Sequence, residues 1–255
     1  MEFASVDSTN SEARRLAERG ERGPLWLRAD CQETGRGRST RGWSSPAGNV
    51  YATFLFSPSC ALGHLPQLSF VVGIAVCDTI RVFLENAQPA KELCRLKWPN
   101  DLMVGMAKVG GILVETTTLK HERVAMVGCG INIAVKPVIE GRKVTAMVDH
   151  GAKPPPQTFL VQLDENLYSW LGLWQNGAGF STIREAWLQR SFPLGTPMSI
   201  NTNGGLVHGT FAGIAEDGAV LLAQSTGYHL RFNFGDVAIG EPTTNPDNGD
   251  HNKNE

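Results

Sequence analysis

The sequence predicts an α+β chain with a catalytic-size domain over residues 1–192, a small all-β module over 193–242 and a polar tail over 243–255. Three observations predict it. Helical and strand-like runs alternate as far as Arg190. After Pro193 the texture changes to short strand-like runs. From Thr243 onward no apolar side chain remains, so the tail is expected to be disordered.

Taken in order, Ser8 to Gly20 predicts a helix. Thr9 and Glu12 have capping-box spacing, Ala13, Leu16 and Ala17 mark an apolar face, and Gly20 is a stop. Trp26–Ala29 and Val50–Phe56 predict strands that hold a Gly/Arg-rich loop between them. Leu65 to Leu84 is apolar on most faces, the pattern of a long helix buried against a sheet. Strand-like runs follow at Cys94–Trp98, Val109–Thr117 and Arg123–Gly128. Pro154-Pro155-Pro156 marks a boundary before a helix over Phe159–Trp174, and Thr182 with Glu185 suggests a second capping box for a helix over Ile183–Arg190. In the β module, strands are expected at Met198–Asn201, Leu206–Ile214, Ala219–Ala223 and Tyr228–Phe234, with a hairpin turn at Asp217-Gly218.

Composition narrows the function. The chain has 255 residues and a net charge of −2, so no global basic field favours nucleic acid or an anionic membrane. Its 5 cysteines form no CxxC pair, which fits unpaired thiols in a reducing cytoplasm. The N-terminus lacks the basic-then-apolar pattern of a secretory signal, and the most apolar stretch, Phe70–Val76, is too short for a membrane span.

Four segments carry chemistry. Asp7-Ser8-Thr9-Asn10 is a run of short hydrogen-bonding side chains at a helix start; capping is the simpler role, and a polar-ligand seat is the other. The stretch Cys31–Tyr51 sets Gln32 before Gly35, Gly37, Gly42 and Gly48, places Arg36, Arg38 and Arg41 among them, and puts Trp43 beside the basic cluster. Glycines let a backbone close on a ligand, guanidinium groups suit carboxylate or phosphate, and an indole can stack on a base. Lys97-Trp98-Pro99-Asn100-Asp101 is followed by Lys108-Val109-Gly110-Gly111. Lys97 reads equally as an edge-strand lysine and Asn100-Asp101 as a turn, whereas a lysine entering an apolar strand beside glycines is better explained as a cationic clamp. In Gly128-Cys129-Gly130-Ile131-Asn132, a strand-end turn and a phosphate or metal contact at Asn132 are equally supported.

In this order and spacing the four segments closely resemble the biotin–protein ligases, from about Ser5 to Gly240, with KWPNDL and KVGGILVE the most specific matches and GRGR and GxGIN supporting ones. The resemblance implies a class II aminoacyl-tRNA synthetase-like catalytic domain, with a mixed sheet and flanking helices, followed by an SH3-like β-barrel. It implies a two-step reaction: biotin and ATP give biotinyl-5′-AMP, which then biotinylates a lysine of a carboxylase's biotin carboxyl carrier domain, with Mg2+ expected. By resemblance, Ser8, Thr9, Asn10, Gln32, Arg36, Gly37, Arg38, Lys108 and Gly110 fall on the biotin side. Arg38, Arg41, Trp43, Asn100 and Asn132 fall on the nucleotide side. Arg38, Lys108 and Asp101 are the expected catalytic groups, with Asp101 acting on metal, ATP or the incoming lysine. No metal ligand is assigned.

The chain departs from the family at Thr40, where the loop pattern GRGRxGRxW has glycine, which puts the closing motion of the loop in question. Nothing before Ser5 resembles a winged helix-turn-helix, so no DNA-binding repressor function is expected. A homodimer is compatible with the sequence. A lipoate–protein ligase and a non-catalytic biotin or adenylate sensor are the alternatives; KWPND with GRGR counts against the first, and the presence of Arg38 and Lys108 against the second.

Overall fold

The computed structural model describes residues 1–87, 93–202 and 204–240. The expected disordered tail lies outside the described residues. The chain divides into two compact units, one of Met1–Phe192 with Glu216–Gly218, the other of Pro193–Ala215 with the chain after Gly218.

In the first unit a 7-stranded mixed sheet runs in the order β1-β2-β3-β7-β6-β5-β4. The strands are β1 (Glu2–Val6), β2 (Leu25–Gln32), β3 (Val50–Phe56), β4 (Cys94–Lys97), β5 (Asp101–Val104), β6 (Ala107–Leu119) and β7 (Glu122–Ile131). Among the described strands of this sheet, β1 and β2 pair in parallel and the other neighbours antiparallel. The helices are α1 (Thr9–Glu18), α2 (Leu68–Ala87), α3 (Pro156–Trp174) and α4 (Phe180–Arg190).

Strand alternation assigns the two faces. On β7, Met126, Gly128 and Gly130 share one face, and Val127, Cys129 and Ile131 share the other. Ala13 and Ala17 of α1 bury against Leu27, Leu55, Val124 and Met126 on the first face. α2 covers the second, where Gly73 approaches Leu96 and Ile112 closely enough that a methyl group there would touch both side chains. Trp174 at the end of α3 donates its indole N–H to Gln67 Oε1 at 2.7 Å just before α2 starts.

Two capping boxes read from the sequence do not form. Ser8, not Thr9, is the N-cap of α1, and Glu12 pairs with Arg15 and Arg19 instead. α4 begins after Gly179, which places Thr182 inside the helix. Three short strands escaped the sequence pattern, β1, β5 and, in the second unit, Asp236–Ile239; Asp101, read as a turn residue, opens β5. The apolar stretch is also longer than expected. The helical segment Leu62–Ala87 has 26 residues, and its most apolar 18-residue window has a mean hydropathy of 1.7, enough in length and composition to cross a membrane, yet 72% of that window is buried inside the fold, as in a core helix.

The second unit is a 5-stranded antiparallel sheet in the order β11-β10-β9-β8-β12. Its strands are β8 (Pro197–Thr202), β9 (Gly205–Ile214), β10 (Val220–Ala223), β11 (His229–Phe232) and β12 (Asp236–Ile239), and Asp217-Gly218 forms the turn between β9 and β10 as expected. Ile200, Phe211, Val220 and Leu222 are its buried centre.

Ile74 in α2 is fully buried. Ile74→Ala should destabilise the first unit by about 2–5 kcal/mol, measured as a lower midpoint in urea with an unchanged slope.

Candidate active site

The site is built on the α1 face of the sheet, at the end of that face beyond the helix N-terminus. Its floor is made by the absence of side chains. A Cβ on Gly128 would lie 2.4 Å from Asn10 Oδ1, one on Gly130 would lie 2.5 Å from Trp43 Nε1, and one on Gly111 would lie 3.3 Å from both Trp43 Cζ3 and Lys108 Nζ. Gly111 and Gly130 are register partners on β6 and β7. Asn10 and Trp43 thus occupy volume that any larger residue would fill. Gly110, the glycine singled out from the sequence, faces the opposite side, where a Cβ would meet Ile131 Cδ1 at 2.6 Å. On the site face the corresponding residue is Gly111.

One wall is the start of α1. Because Ser8 caps the helix through its backbone with no side-chain bond to it, its hydroxyl is not spent on the helix. Thr9 donates its N–H and its hydroxyl to Gln32 Oε1, at 2.9 and 3.1 Å, and Gln32 Nε2 donates to Ser45 Oγ at 2.9 Å. The Asn10 amide is held from both ends: Nδ2 donates to Glu115 Oε2 at 2.8 Å and to Leu113 O at 3.3 Å, while Oδ1 lies 2.6 Å from the Thr53 hydroxyl. Thr53 is fully buried. A hydroxyl inside the otherwise apolar run VYATFLF is the sequence signal that was passed over.

The second wall is the loop between β2 and β3. It folds back on itself, with Trp43 N–H donating to Gly35 O at 2.8 Å and Gly37 N–H to Arg41 O at 2.7 Å. Polar and aromatic contacts supply the anchors that aliphatic residues do not. Arg36 Nη2 meets Glu115 Oε2 at 3.0 Å, Arg38 Nη1 donates to Asn100 Oδ1 at 3.3 Å, and the Trp43 ring lies with Lys108 Nζ 5.2 Å from its centroid. Arg41 is exposed and helps close the turn through its backbone. Ser39 and Thr40 both take left-handed backbone angles, φ 52° and 58°. A β-branched residue is strained there, whereas the glycine of the loop pattern GRGRxGRxW would not be.

The third wall carries the charge. Asn100 is fixed to β6: its Nδ2 donates to Ile112 O at 2.8 Å, and its carbonyl accepts the Ile112 N–H at 3.0 Å. Asp101 receives Lys108 Nζ at 2.5 Å on Oδ1 and Lys97 Nζ at 2.8 Å on Oδ2, with the three side chains only 15–24% exposed. Burial pushes the Asp101 carboxyl up, but Lys108 and Lys97 together hold it below its ordinary value. Burial depresses Lys108, Asp101 counters this, and Lys97 and Arg142 add repulsion, so Lys108 ends below the ordinary lysine value of 10.5. One carboxylate shared by two ammonium groups leaves a surplus positive charge. Lys97, read equally as an edge-strand lysine, is part of this group.

Asn132 closes the far end. It is 1% exposed, its Nδ2 donates to Thr145 O at 3.0 Å, and its Oδ1 has no partner. Trp43 Nε1 is likewise buried without a partner. Next to them Asn49, which the sequence did not flag, accepts the N–H groups of Ile133, Ala134 and Val135 on its Oδ1 at 2.9, 3.0 and 3.1 Å and so fixes the chain leaving β7.

Family comparison agrees with this geometry. Residues 3–132 match the biotin/lipoate A/B protein ligase family, and residues 194–240 match the biotin protein ligase C-terminal domain. The chain belongs to the biotin protein ligase family. Among its relatives, the biotin–[acetyl-CoA-carboxylase] ligase of Paracoccus denitrificans is 35% identical over 88% of this chain and 94% of that protein. The bifunctional ligase/repressor BirA of Bacillus subtilis is 26% identical over 92% of this chain and 72% of that protein. The biotin protein ligase of Aquifex aeolicus, solved in complex with biotin and ATP, superposes with a TM-score of 0.77 at 26% identity, covering 94% of this chain and 97% of the other. The fold is therefore that of the biotin protein ligases, a class II synthetase-like core with a C-terminal β domain.

Gly130→Ala should expel the Trp43 indole from the floor. Amide exchange across residues 36–45 should then accelerate by at least an order of magnitude, as for a contact of about 1.4 kcal/mol or more, while the core strands keep their protection.

Proposed function

We propose that the glycine-floored cleft holds biotin and ATP side by side, joins them as biotinyl-5′-AMP and passes the biotinyl group to a lysine of a biotin carboxyl carrier domain. The chain is a biotin–protein ligase, an enzyme that attaches biotin at the expense of ATP. One observation carries the detailed route: Asp101 shared between Lys97 and Lys108 leaves a surplus positive charge beside the half-buried Trp43 ring. That pairing of cation and aromatic face suits a phosphate next to a base.

In the first step the biotin carboxylate attacks the α-phosphorus, an acyl–phosphate bond forms, and the bond to the β-phosphate oxygen breaks with release of pyrophosphate. Two anions must approach, so fixed cations offset the repulsion; Lys108 and Arg38 are placed to do this. Asp101 keeps both ammonium groups in place without neutralising them. In the second step the acceptor amine attacks the carbonyl carbon, AMP leaves, and the amine gives up its proton. Ser8, Thr9 and Gln32 supply the neutral hydrogen-bonding groups that the ureido ring requires, with Asn10 orienting them rather than reaching outward. Arg36 and Gly37 close the biotin side from the loop, and Trp43, Arg41, Asn100 and the unpartnered Asn132 Oδ1 face the nucleotide.

Magnesium would accompany ATP. Among the described residues no group of three or more His, Cys, Asp or Glu side chains is placed to hold an ion, so phosphate oxygens would be its main ligands. The match of residues 194–240 to a biotin-specific domain favours biotin over lipoate. Net charge of −2 supports the absence of DNA binding, and five free thiols support a cytoplasmic location. The decisive experiment incubates the protein with ATP, biotin and a carrier domain. A mass increase of one biotinyl group on the carrier is expected, and no increase, or the same increase with lipoate, overturns the proposal.

Lys108 sets the alkaline limit. Its active form is the cation, whose fraction falls as pH rises through a depressed pKa, so kcat/KM for adenylate formation should decline from a pH below 10.5. Lys108→Arg should move that limb upward, and Lys108→Ala should abolish the limb with a loss of about 3–4 kcal/mol in transition-state stabilisation. Adenylation rates at several pH values check all three.

A further inference from the structure

Glu115 stands on β6, on the same face as Gly111, and one of its oxygens joins two walls of the site. Its Oε2 accepts Asn10 Nδ2 from α1 at 2.8 Å and Arg36 Nη2 from the loop at 3.0 Å. Its side chain is 21% exposed against 41% for Arg36, so the carboxylate is the anchored partner and the guanidinium the one brought to it. The two-step reaction assigns it nothing.

We propose that Glu115 is a positioning residue for biotin, acting through Arg36 and Asn10. The inference rests on the ligase reading above. Charge balance points to it. At the Lys97–Asp101–Lys108 end one carboxylate faces two cations and the surplus suits an anion. At the Arg36 end one carboxylate meets one guanidinium, and the same oxygen takes an amide. A cleft end whose cation is balanced suits a neutral ligand, because no uncompensated charge then faces an uncharged group. The ureido ring is neutral and the valeryl carboxylate is not, so the two ends fix the direction in which biotin lies. Geometry supports this as well. A guanidinium has five N–H donors, and holding it by one leaves the others available in a fixed orientation. Arg36 sits in a loop with no aliphatic residue between Gly35 and Pro46, so tethering it beforehand removes an ordering cost from binding.

The test is steady-state kinetics of carrier biotinylation by the wild type, Glu115→Gln, Arg36→Ala and the double variant, with thermal melts in parallel. Glu115→Gln should raise KM for biotin by roughly tenfold, the scale of one charge-assisted hydrogen bond, with kcat and KM for ATP within about twofold of wild type. In the Arg36→Ala background the same change should add distinctly less than in the wild type, because only the part that passes through Asn10 then remains. If Glu115→Gln does not fold, Glu115→Asp, which keeps the charge but shortens its reach, should still raise KM for biotin selectively. An unchanged or lowered KM for biotin, equal losses for biotin and ATP, or fully additive effects of the two single changes would overturn the proposal. A wild-type protein that biotinylates nothing would instead sink the ligase reading on which it rests.

Discussion

The site depends on three places where side chains are missing. Gly111, Gly128 and Gly130 leave a trough in the α1 face of the sheet, and Asn10 and Trp43 lie in it. Those two residues join the walls of the cleft to its floor. Asn10 ties the helix start to Thr53 and Glu115, Trp43 ties the loop to Lys108, and both contacts exist only because a Cβ is absent beneath them. Protein interiors have no slack to accommodate a misplaced methyl group at such distances. The constraint is one of excluded volume, and the electrostatics are built on top of it.

Sequence periodicity revealed the main body of the fold because the large elements carry strong local signals. β3, α2, β6, β7 and α3 have apolar patterns set by burial on one or both faces, and the Asp217-Gly218 turn follows from backbone chemistry. The strands β1, β5 and β12 did not appear, since five-residue and four-residue edge or near-edge elements owe their conformation to a partner elsewhere in the chain. The capping box at Thr9 failed because other partners took its side chains, Glu12 binding Arg15 and Arg19 of its own helix and Thr9 binding Gln32, and the one at Thr182 failed because α4 already begins at Phe180.

The site was legible as a set of residues and much less as a set of relationships. The motifs singled out Ser8, Gln32, Arg38, Asp101 and Lys108, and in the fold Ser8 caps α1, Gln32 meets Thr9, Arg38 meets Asn100 and Asp101 meets Lys108. Lys97, Thr53, Asn49 and Glu115 were not singled out as site residues, because their importance lies in what they touch. A lysine on a short strand and a glutamate on a long one carry no local mark of a shared ion pair. Gly110 and Gly111 illustrate the same limit, since adjacent strand residues point to opposite faces and spacing cannot say which face holds the ligand.

Thr40 gives the loop a second property. A β-branched residue held in the left-handed region keeps a standing conformational penalty on the order of 1–3 kcal/mol, present whenever the loop adopts this shape. The anchors at Glu115, Asn100 and the glycine trough work against that bias. The shape of the loop is therefore a balance between anchor strength and backbone tension, and that balance is tuned at a residue outside every anchoring contact.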